Sequence, residues 1–403
     1  MSTLEDVSVA LGVTGSIAAV KTIELAHELR RRGADVRAVM SDSATGIVHP
    51  DAVAYATGND VVTALTGRVE HVELCGRDGW ADVLLIAPAT ANTVGKLAAA
   101  VDDTPVTTTA TTALGADVPV VVAPAMHEPM YDHPGVLASL ERIESWGVDL
   151  VDPRIEEGKA KIATEDAICT AIERATSDGQ LAGEHVVVTA GATAESIDPV
   201  RVLTNRSSGR MGRAVARACY ALGATVTLVH GPVGPHAVTR SDAGDGGDVS
   251  YADVLTVETT AEMVEETRAA CETADALVSA AAVADYTVDT HDEKLRSGDR
   301  RELTLEPTAK LVDAVRNDRP DMPIVGFKTE TSGDDEAMIE AARDLRDRVH
   351  LAFVVANDAS VMGRGETRAL LVHAGDVARF TGSKRALADE IGASLAVVLH
   401  GET

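Results

Sequence analysis

Residues 189–212 read TAGATAESIDPVRVLTNRSSGRMG, and this stretch decides the fold of the second half of the chain. A short apolar run, residues 185–189, precedes it like a buried strand, and an alanine-rich segment, residues 213–222, follows with helical spacing. Between them stand glycine turns, a proline, an asparagine, a Ser-Ser-Gly and arginines. Such a loop offers backbone N–H groups and guanidinium forks to a phosphorylated ligand, with no bulky side chains in the way.

The alternation of strand, loop and helix extends outward. Residues 7–13 read as a buried strand, Thr14-Gly15-Ser16 as a turn, residues 17–32 as an amphipathic helix stopped by Gly33, and residues 35–40 as the next strand. Further strands are expected at 82–87, 118–123 and 148–151, with a helix at 164–176. Beyond residue 180, strands are expected near Val186 and at 225–229, 276–280, 324–327 and 353–356, with a last helix after Ser383. The fold class is therefore α/β, with two doubly wound parallel-sheet domains. At 403 residues two domains are the default. The polar segment 177–183 reads as the linker, giving domains 1–180 and 181–403, and the acidic, glycine-rich 241–248 reads as a solvated loop.

Composition bounds the partners. The chain is 45% hydrophobic but only 2% aromatic, so its cores must be built from Ala, Val, Leu and Ile, which suits covered parallel strands. The net charge is -27, and eight of the 36 basic residues are lysine. So acidic a surface repels itself, and salt screens the repulsion, so a high-salt cytoplasm is expected. The same field opposes binding to nucleic acid. Cys75, Cys169, Cys219 and Cys271 form no CxxC pair, which fits a reducing cytosol without structural disulfides or zinc. No basic n-region precedes the first strand and no apolar run approaches 18 residues, so neither a signal peptide nor a membrane span is expected. Neither GxGxxG nor the P-loop spacing GxxxxGK[ST] is present.

Thr189-Ala-Gly191, Asp198-Pro-Val-Arg201 and residues 204–212 resemble the signature of phosphopantothenate-cysteine ligase. The resemblance implies activation of a carboxylate by CTP as an acyl-cytidylate, then attack by cysteine, with Mg²⁺ accompanying the triphosphate. It gives Asn205 the task of binding and turning over the mixed anhydride, where an amide can donate to the developing oxyanion. Ser279, Ala280, Ala281 and Asp285, within residues 279–286, form the second matching segment; the small residues let backbone approach a base, and Asp285 can accept from its exocyclic amine. Lys294 matches the first lysine of a loop that closes over the triphosphate, although the later lysines are here Arg296 and Ser297. Phe327 is implied to line the nucleotide pocket, and Arg343, Arg346 or Arg348 to stand for lysines of the following helix. Residues 356–360 also match the family.

In the first half, residues 88–93 (PATANT) and 124–131 (PAMHEPMY) resemble the two signature segments of the flavin-dependent cysteine decarboxylases. The resemblance implies an FMN site made by Gly15, Ser16, Ile17, Ser41, Pro88, Ala89, Thr90, Asn92, Thr93 and Met126. It implies that FMN oxidises the substrate thiol, that carbon dioxide then leaves, and that the electrons return. His71 falls at the position of the catalytic histidine, and imidazole titrates in the range a base needs. His127 stands where bacterial members have asparagine, so a ring N–H would bind the substrate carboxylate. Those members protonate the product from a flap cysteine, and the corresponding residues 154–163 contain none. Three accounts compete: Lys159 or Lys161 supplies the proton, the one favoured here; Cys169 or Cys75 lies close enough; or the last step is slow. Archaeal members of the family show a similar sequence in this segment.

Decarboxylase motifs followed by ligase motifs imply a flavodoxin-like flavoprotein domain joined to a Rossmann-like ligase domain. Together these would turn phosphopantothenate, cysteine and CTP into phosphopantetheine. The alternatives are a ligase with an altered flavin domain and a non-catalytic regulatory flavoprotein. The resemblance also implies a homo-oligomer, flavin-domain trimers joined by ligase dimers into a dodecamer.

Overall fold

The computed structural model describes residues 4–156, 158–232, 248–298, 300–330, 334–358 and 367–401. The chain divides into two compact units, Met1–Asp178 and Gly179–Thr403.

The strands of the first unit are β1 (Ser8–Val13), β2 (Asp35–Met40), β3 (Val83–Ala89), β4 (Val120–Pro124), β5 (Met126–His127), β6 (Asp149–Leu150), β7 (Arg154–Glu156) and β8 (Lys159–Lys161). The main sheet is parallel in the order β2-β1-β3-β4-β6. Every residue of β3 and β4 is buried, so these strands read as continuous apolar runs rather than alternating ones. Leu11, Leu25, Leu29 and Ile172 fill one face and Leu84, Ile86, Val106 and Ile143 the other. Each such side chain contributes about 1.5–3 kcal/mol by leaving water. The chain goes from β1 to β2 on one side and then crosses to β3 on the other, so the carboxyl ends of β1 and β3 part to leave a crevice.

Two expectations need adjustment here. The helix expected at 17–32 begins as a 3-10 turn, Ile17–Lys21, and becomes an α-helix only over Thr22–Arg31. Tightened first turns of this kind are frequent at helix starts. Strand β3 runs on through Pro88 and Ala89, with a register shift between Ile86 and Ala89 that accommodates the proline's missing donor. Beyond β4, the short β5, β8 and β7 make a separate antiparallel sheet.

In the second unit the strands are β9 (His185–Ala190), β10 (Ala194–Asp198), β11 (Arg201–Thr204), β12 (Thr225–His230), β13 (Asp253–Thr256), β14 (Ala276–Ser279), β15 (Tyr286–Val288), β16 (Leu305–Pro307), β17 (Ile324–Glu330), β18 (Phe353–Asp358), β19 (Thr367–Val372) and β20 (Val377–Gly382). The main sheet has the order β13-β12-β9-β14-β17-β18-β19-β20, parallel as far as β18 and antiparallel at the last two strands. Its direction of winding reverses between β9 and β14, the counterpart of the break between β1 and β3.

The stretch 189–212 is more ordered than a loop. It folds into the hairpin β10–β11 before the helix Arg210–Ala221. The turn is set by Asp198, whose Oδ1 accepts from the N–H of Val200 at 2.8 Å and of Arg201 at 2.9 Å. Of the segment expected to be a solvated loop, residues 241–247 lie outside the described residues. Its last residue, Asp248, is buried and accepts from Ser250 N–H.

Candidate functional site

The loops at the carboxyl ends of β1, β2, β3 and β4 converge. Thr14, 3% exposed, donates from its hydroxyl to the Pro88 carbonyl at 2.7 Å and accepts from Thr90 N–H at 3.3 Å, tying the two sides of the crevice together. Ser16 caps the turn by accepting from Ala18 N–H and donates to the Ala125 carbonyl, both at 3.3 Å. Gly15 lies against Ser43, and a Cβ there would fall 2.4 Å from Ser43 Oγ, so only glycine lets the loops approach so closely. Ser41 is buried and shares a 3.1 Å hydrogen bond with Ser43. Thr90 caps the helix Ala91–Ala98 through Thr93 N–H. Gly15, Ser16, Ser41, Pro88, Ala89, Thr90, Thr93 and Met126 thus gather around one crevice, with Asn92 and Ile17 exposed at its rim.

His71 stands on the helix Glu70–Cys75, which packs against the helix Pro105–Gly115. Its Nδ1 is buried and has no hydrogen-bond partner among the described residues. No hydrogen bond among the described residues links it to the crevice loops.

His127 is exposed on β5 and stands in register with Lys159 of β8, which in turn pairs with Glu156 of β7. The two lysines differ. Lys161 donates to Glu156 Oε2 at 2.9 Å beside Arg154, whereas Lys159 is exposed. Cys75 and Cys169 are fully buried, and desolvation pushes each thiol up to about 12, which fits packing rather than proton donation.

In the second unit the loops after β9 and β14 are laced together. Thr189 Oγ1 accepts from Ala281 N–H at 3.1 Å and Thr193 Oγ1 from Ala284 N–H at 2.8 Å, while Ala282 N–H donates to the Gly191 carbonyl at 2.8 Å. Asn205 joins this lacing. Its Nδ2 donates to the Ala282 carbonyl at 2.6 Å, and its Oδ1 accepts from Ser207 N–H at 3.0 Å. Ser279 pairs with Gly326 at the end of β14, so Phe327 continues past that strand level with Ala280. Asn205, the small residues 279–281 and Phe327 therefore share one crevice.

Residues 2–177 match the family described as Flavoprotein, and residues 181–398 the DNA/pantothenate metabolism flavoprotein C-terminal domain. The chain is 45% identical over 368 residues to the coenzyme A biosynthesis bifunctional protein CoaBC of Thermococcus kodakarensis, spanning 90% of this chain and 88% of that one. The chain belongs to the bifunctional coenzyme A biosynthesis family. A second such protein, from Methanocaldococcus jannaschii, is 31% identical over 392 residues, spanning 96% of this chain and 93% of the other. Among solved structures, the C-terminal domain of a CoaBC protein is 26% identical with a TM-score of 0.46, covering 56% of this chain and 100% of that one. This coenzyme A biosynthesis protein thus joins a flavoprotein decarboxylase half to a phosphopantothenate-cysteine ligase half.

In the ligase half the Asp-Pro-Val-Arg motif holds a loop. The Asp198 side chain is buried, and besides closing its own turn it accepts from Leu295 N–H at 3.1 Å and from Arg201 Nε at 2.9 Å. Arg201 also donates to the Leu295 carbonyl. Burial would raise the Asp198 pKa, but the N–H groups of Val200 and Leu295 and the Arg201 side chain outweigh it and hold the group at about 2. Lys294, adjacent to this anchor, is exposed. Arg346 and Arg348 are engaged within the fold, Arg346 on the His373 carbonyl and Arg348 on Asp313, while Arg343 is exposed. Of residues 356–360, the last two lie outside the described residues.

Two features escaped the sequence reading. Lys310 pairs with Asp285 Oδ1 across 25 positions, and only the β15–β16 pairing brings them together. His230, which ends β12, lies beneath the ligase loop; a histidine at a strand end carries no local signal of that. Among the described residues no group of three His, Cys, Asp or Glu side chains is placed to hold a metal ion, and no helix is long and apolar enough to cross a membrane.

Proposed function

We propose that the flavoprotein half binds FMN in the crevice between β1 and β3, and that the ligase half activates phosphopantothenate with CTP in the crevice between β9 and β14. The observation that supports both is the lacing of each crevice by buried threonines, which sets the backbone of two loops before any ligand arrives. The residues fit a flavin phosphate: Gly15 has no Cβ to obstruct the turn, and Ser16, Ser41 and Thr90 bring hydroxyls to one place. When bound, FMN supplies the two-electron chemistry that lets the substrate lose carbon dioxide.

The protein's own residues bind the substrate and move protons. His71 takes the thiol proton at Nδ1, the ring nitrogen left without a partner. His127 donates a ring N–H to the substrate carboxylate. Lys159, in register beside it, returns a proton from Nζ; Lys161 is engaged by Glu156.

In the ligase half one Nδ2 hydrogen of Asn205 stays on Ala282 and the other serves the developing oxyanion. Lys310 occupies Asp285 Oδ1, leaving Oδ2 for the exocyclic amine of the base. Ser279, Ala280, Ala281 and Phe327 pack against that base, and Lys294 meets the triphosphate. Mg²⁺ would arrive on the phosphates, as this ion commonly does, rather than in a protein cage. The protein works in a salt-rich cytoplasm as a homo-oligomer, trimers of the flavin half joined through ligase dimers. Exposed Ile17 and Val20 on the flavin half support burial in an assembly.

The test uses full-length protein purified in concentrated salt. It should be yellow, release carbon dioxide from phosphopantothenoylcysteine, and release pyrophosphate from CTP only with phosphopantothenate present. A colourless protein, or a yellow one that releases no carbon dioxide, rejects the bifunctional reading. Equal use of ATP rejects the nucleotide assignment.

A further inference from the structure

His230 is 1% exposed. One ring nitrogen, Nδ1, is 2.5 Å from the Gly231 carbonyl, and the other, Nε2, is 2.8 Å from an Arg213 guanidinium nitrogen. A carbonyl can only accept and a guanidinium can only donate, so the proton sits on Nδ1 and Nε2 is the acceptor. The ring is neutral and held in one tautomer. The second arm of Arg213 donates to the Ser208 carbonyl at 3.1 Å.

Two glycine turns rest on the same ring. A Cβ at Gly209 would lie 2.6 Å from Nε2, and one at Gly191 would lie 3.0 Å from Cε1; their φ angles are +70° and +82°. Gly209 ends the turn that begins at Asn205, and Gly191 accepts from Ala282, whose carbonyl holds Asn205. Asn205 Oδ1 accepts from Ser207 N–H, so ring, Arg213, Ser208, the adjoining Ser207, Asn205, Ala282 and Gly191 form a closed circuit through contacts and one chain link.

We propose that His230 is a positioning residue of the ligase site: by accepting from Arg213 it fixes the guanidinium that holds residues 205–209, and so sets where the Asn205 amide points. Burial, chiefly, lowers the pKa of the ring to about 4 and the neighbouring guanidinium adds to this, so at neutral pH the acceptor is always available. This rests on the ligase reading and adds to it a residue that does not touch the substrate.

The alternative is simple packing, in which any side chain of similar size serves. His230→Gln and His230→Asn separate the two. The longer amide reaches as far as Nε2 and can accept from Arg213; the shorter reaches only as far as Nδ1 and does not replace the Nε2 acceptor. The full chain in concentrated salt is assayed for CTP-dependent pyrophosphate release, with decarboxylation of supplied phosphopantothenoylcysteine as internal control. H230N should lower ligation kcat about tenfold or more, as sub-ångström to ångström misplacement of a reacting group does, with the nucleotide KM changed less than about threefold. H230Q should recover ligation to within about threefold of the parent, and decarboxylation should be unchanged in both.

H230N ligating as fast as the parent overturns the proposal, as does folded H230Q falling as far as H230N. If H230N fails to fold by circular dichroism, Arg213→Lys replaces it: a single ammonium nitrogen lacks the rigid fork whose two nitrogens reach His230 and Ser208 separately, so the same loss is expected, and undiminished ligation overturns the proposal. A parent protein without ligation sinks the ligase reading and this inference with it. A ligating parent beside an unaffected H230N sinks the inference alone.

Discussion

The two halves close equivalent crevices with threonine hydroxyls, but they attach their chemistry differently. In the flavoprotein half one hydroxyl, Thr14 after β1, holds the end of β3 twice, donating to Pro88 and accepting from Thr90. In the ligase half the task is divided between Thr189 and Thr193, and Asn205 is bonded directly into the lacing through Ala282. His71, by contrast, stands on a separate helix with no hydrogen bond to the flavin-side loops among the described residues. The winding of the sheet fixes where a crevice lies; it does not fix whether the reactive side chain is part of the crevice wall or is brought to it.

The largest expected effect tests that difference. His71→Asn should lower decarboxylation by roughly 10²–10⁴-fold and leave ligation intact. Asn205→Ala should lower ligation by about 10²–10³-fold and leave decarboxylation intact. Carbon dioxide and pyrophosphate release measure the two. Because Asn205 also braces Ala282, its loss should raise the nucleotide KM as well, whereas His71→Asn should not loosen flavin binding. Loss of both activities in either folded variant would break the separation.

A smaller effect is expected from the threonines themselves. Thr14→Val leaves a buried carbonyl and an N–H unpaired and should destabilise the flavoprotein half by about 2 kcal/mol; Thr189→Val strands one N–H and should cost the ligase half about 1 kcal/mol. Trp80 and Trp146, the chain's 2 tryptophans, both belong to the flavoprotein half, so their fluorescence during urea unfolding reports that half alone. Circular dichroism follows the whole chain. No loss in either variant would show that the loops are held by other contacts.

The smallest expected effect concerns Asp198. Its folded pKa of about 2 lies below the ordinary aspartate value of 3.8, so its contribution is fully present above about pH 4 and is lost as the pH falls toward 2. The Lys294 loop should therefore release before the flavoprotein half melts. Limited proteolysis between pH 5 and 2.5 would detect it, and Asp198→Asn should remove the pH dependence. A pH-independent cleavage rate in the parent would show that the loop is anchored elsewhere.

Much of the architecture was legible because parallel strands covered on both faces are written as short apolar runs, such as VLLIA at 83–87 and VVVA at 120–123. The hairpin β10–β11 was hidden because its hydrogen bonds join residues within what composition presents as one polar loop. Its Asp-Pro turn was the available signal. The edge strands β19 and β20 were unread, although TRALLV is a plausible strand, because nothing local says that it returns antiparallel. Of the candidate site residues, those beside glycine turns lie near one another, since a turn after a parallel strand must open at the carboxyl edge of the sheet. Lys310 and His230 were not legible; each gains its place from a partner distant in sequence.

The sequence by itself determined the central alternation of parallel strands and helices, the two-part organisation and the family, because periodicity, glycine turns and contiguous motifs are local properties of a chain. Only the tertiary structure decided that Asn205 meets Ala282 across 77 positions, that Thr14 meets Pro88 across 74, and that the Lys161 ammonium donates to the Glu156 carboxylate. Such contacts depend on which strands lie side by side and in what register, and register is settled by packing of the whole sheet rather than by any residue's own preference.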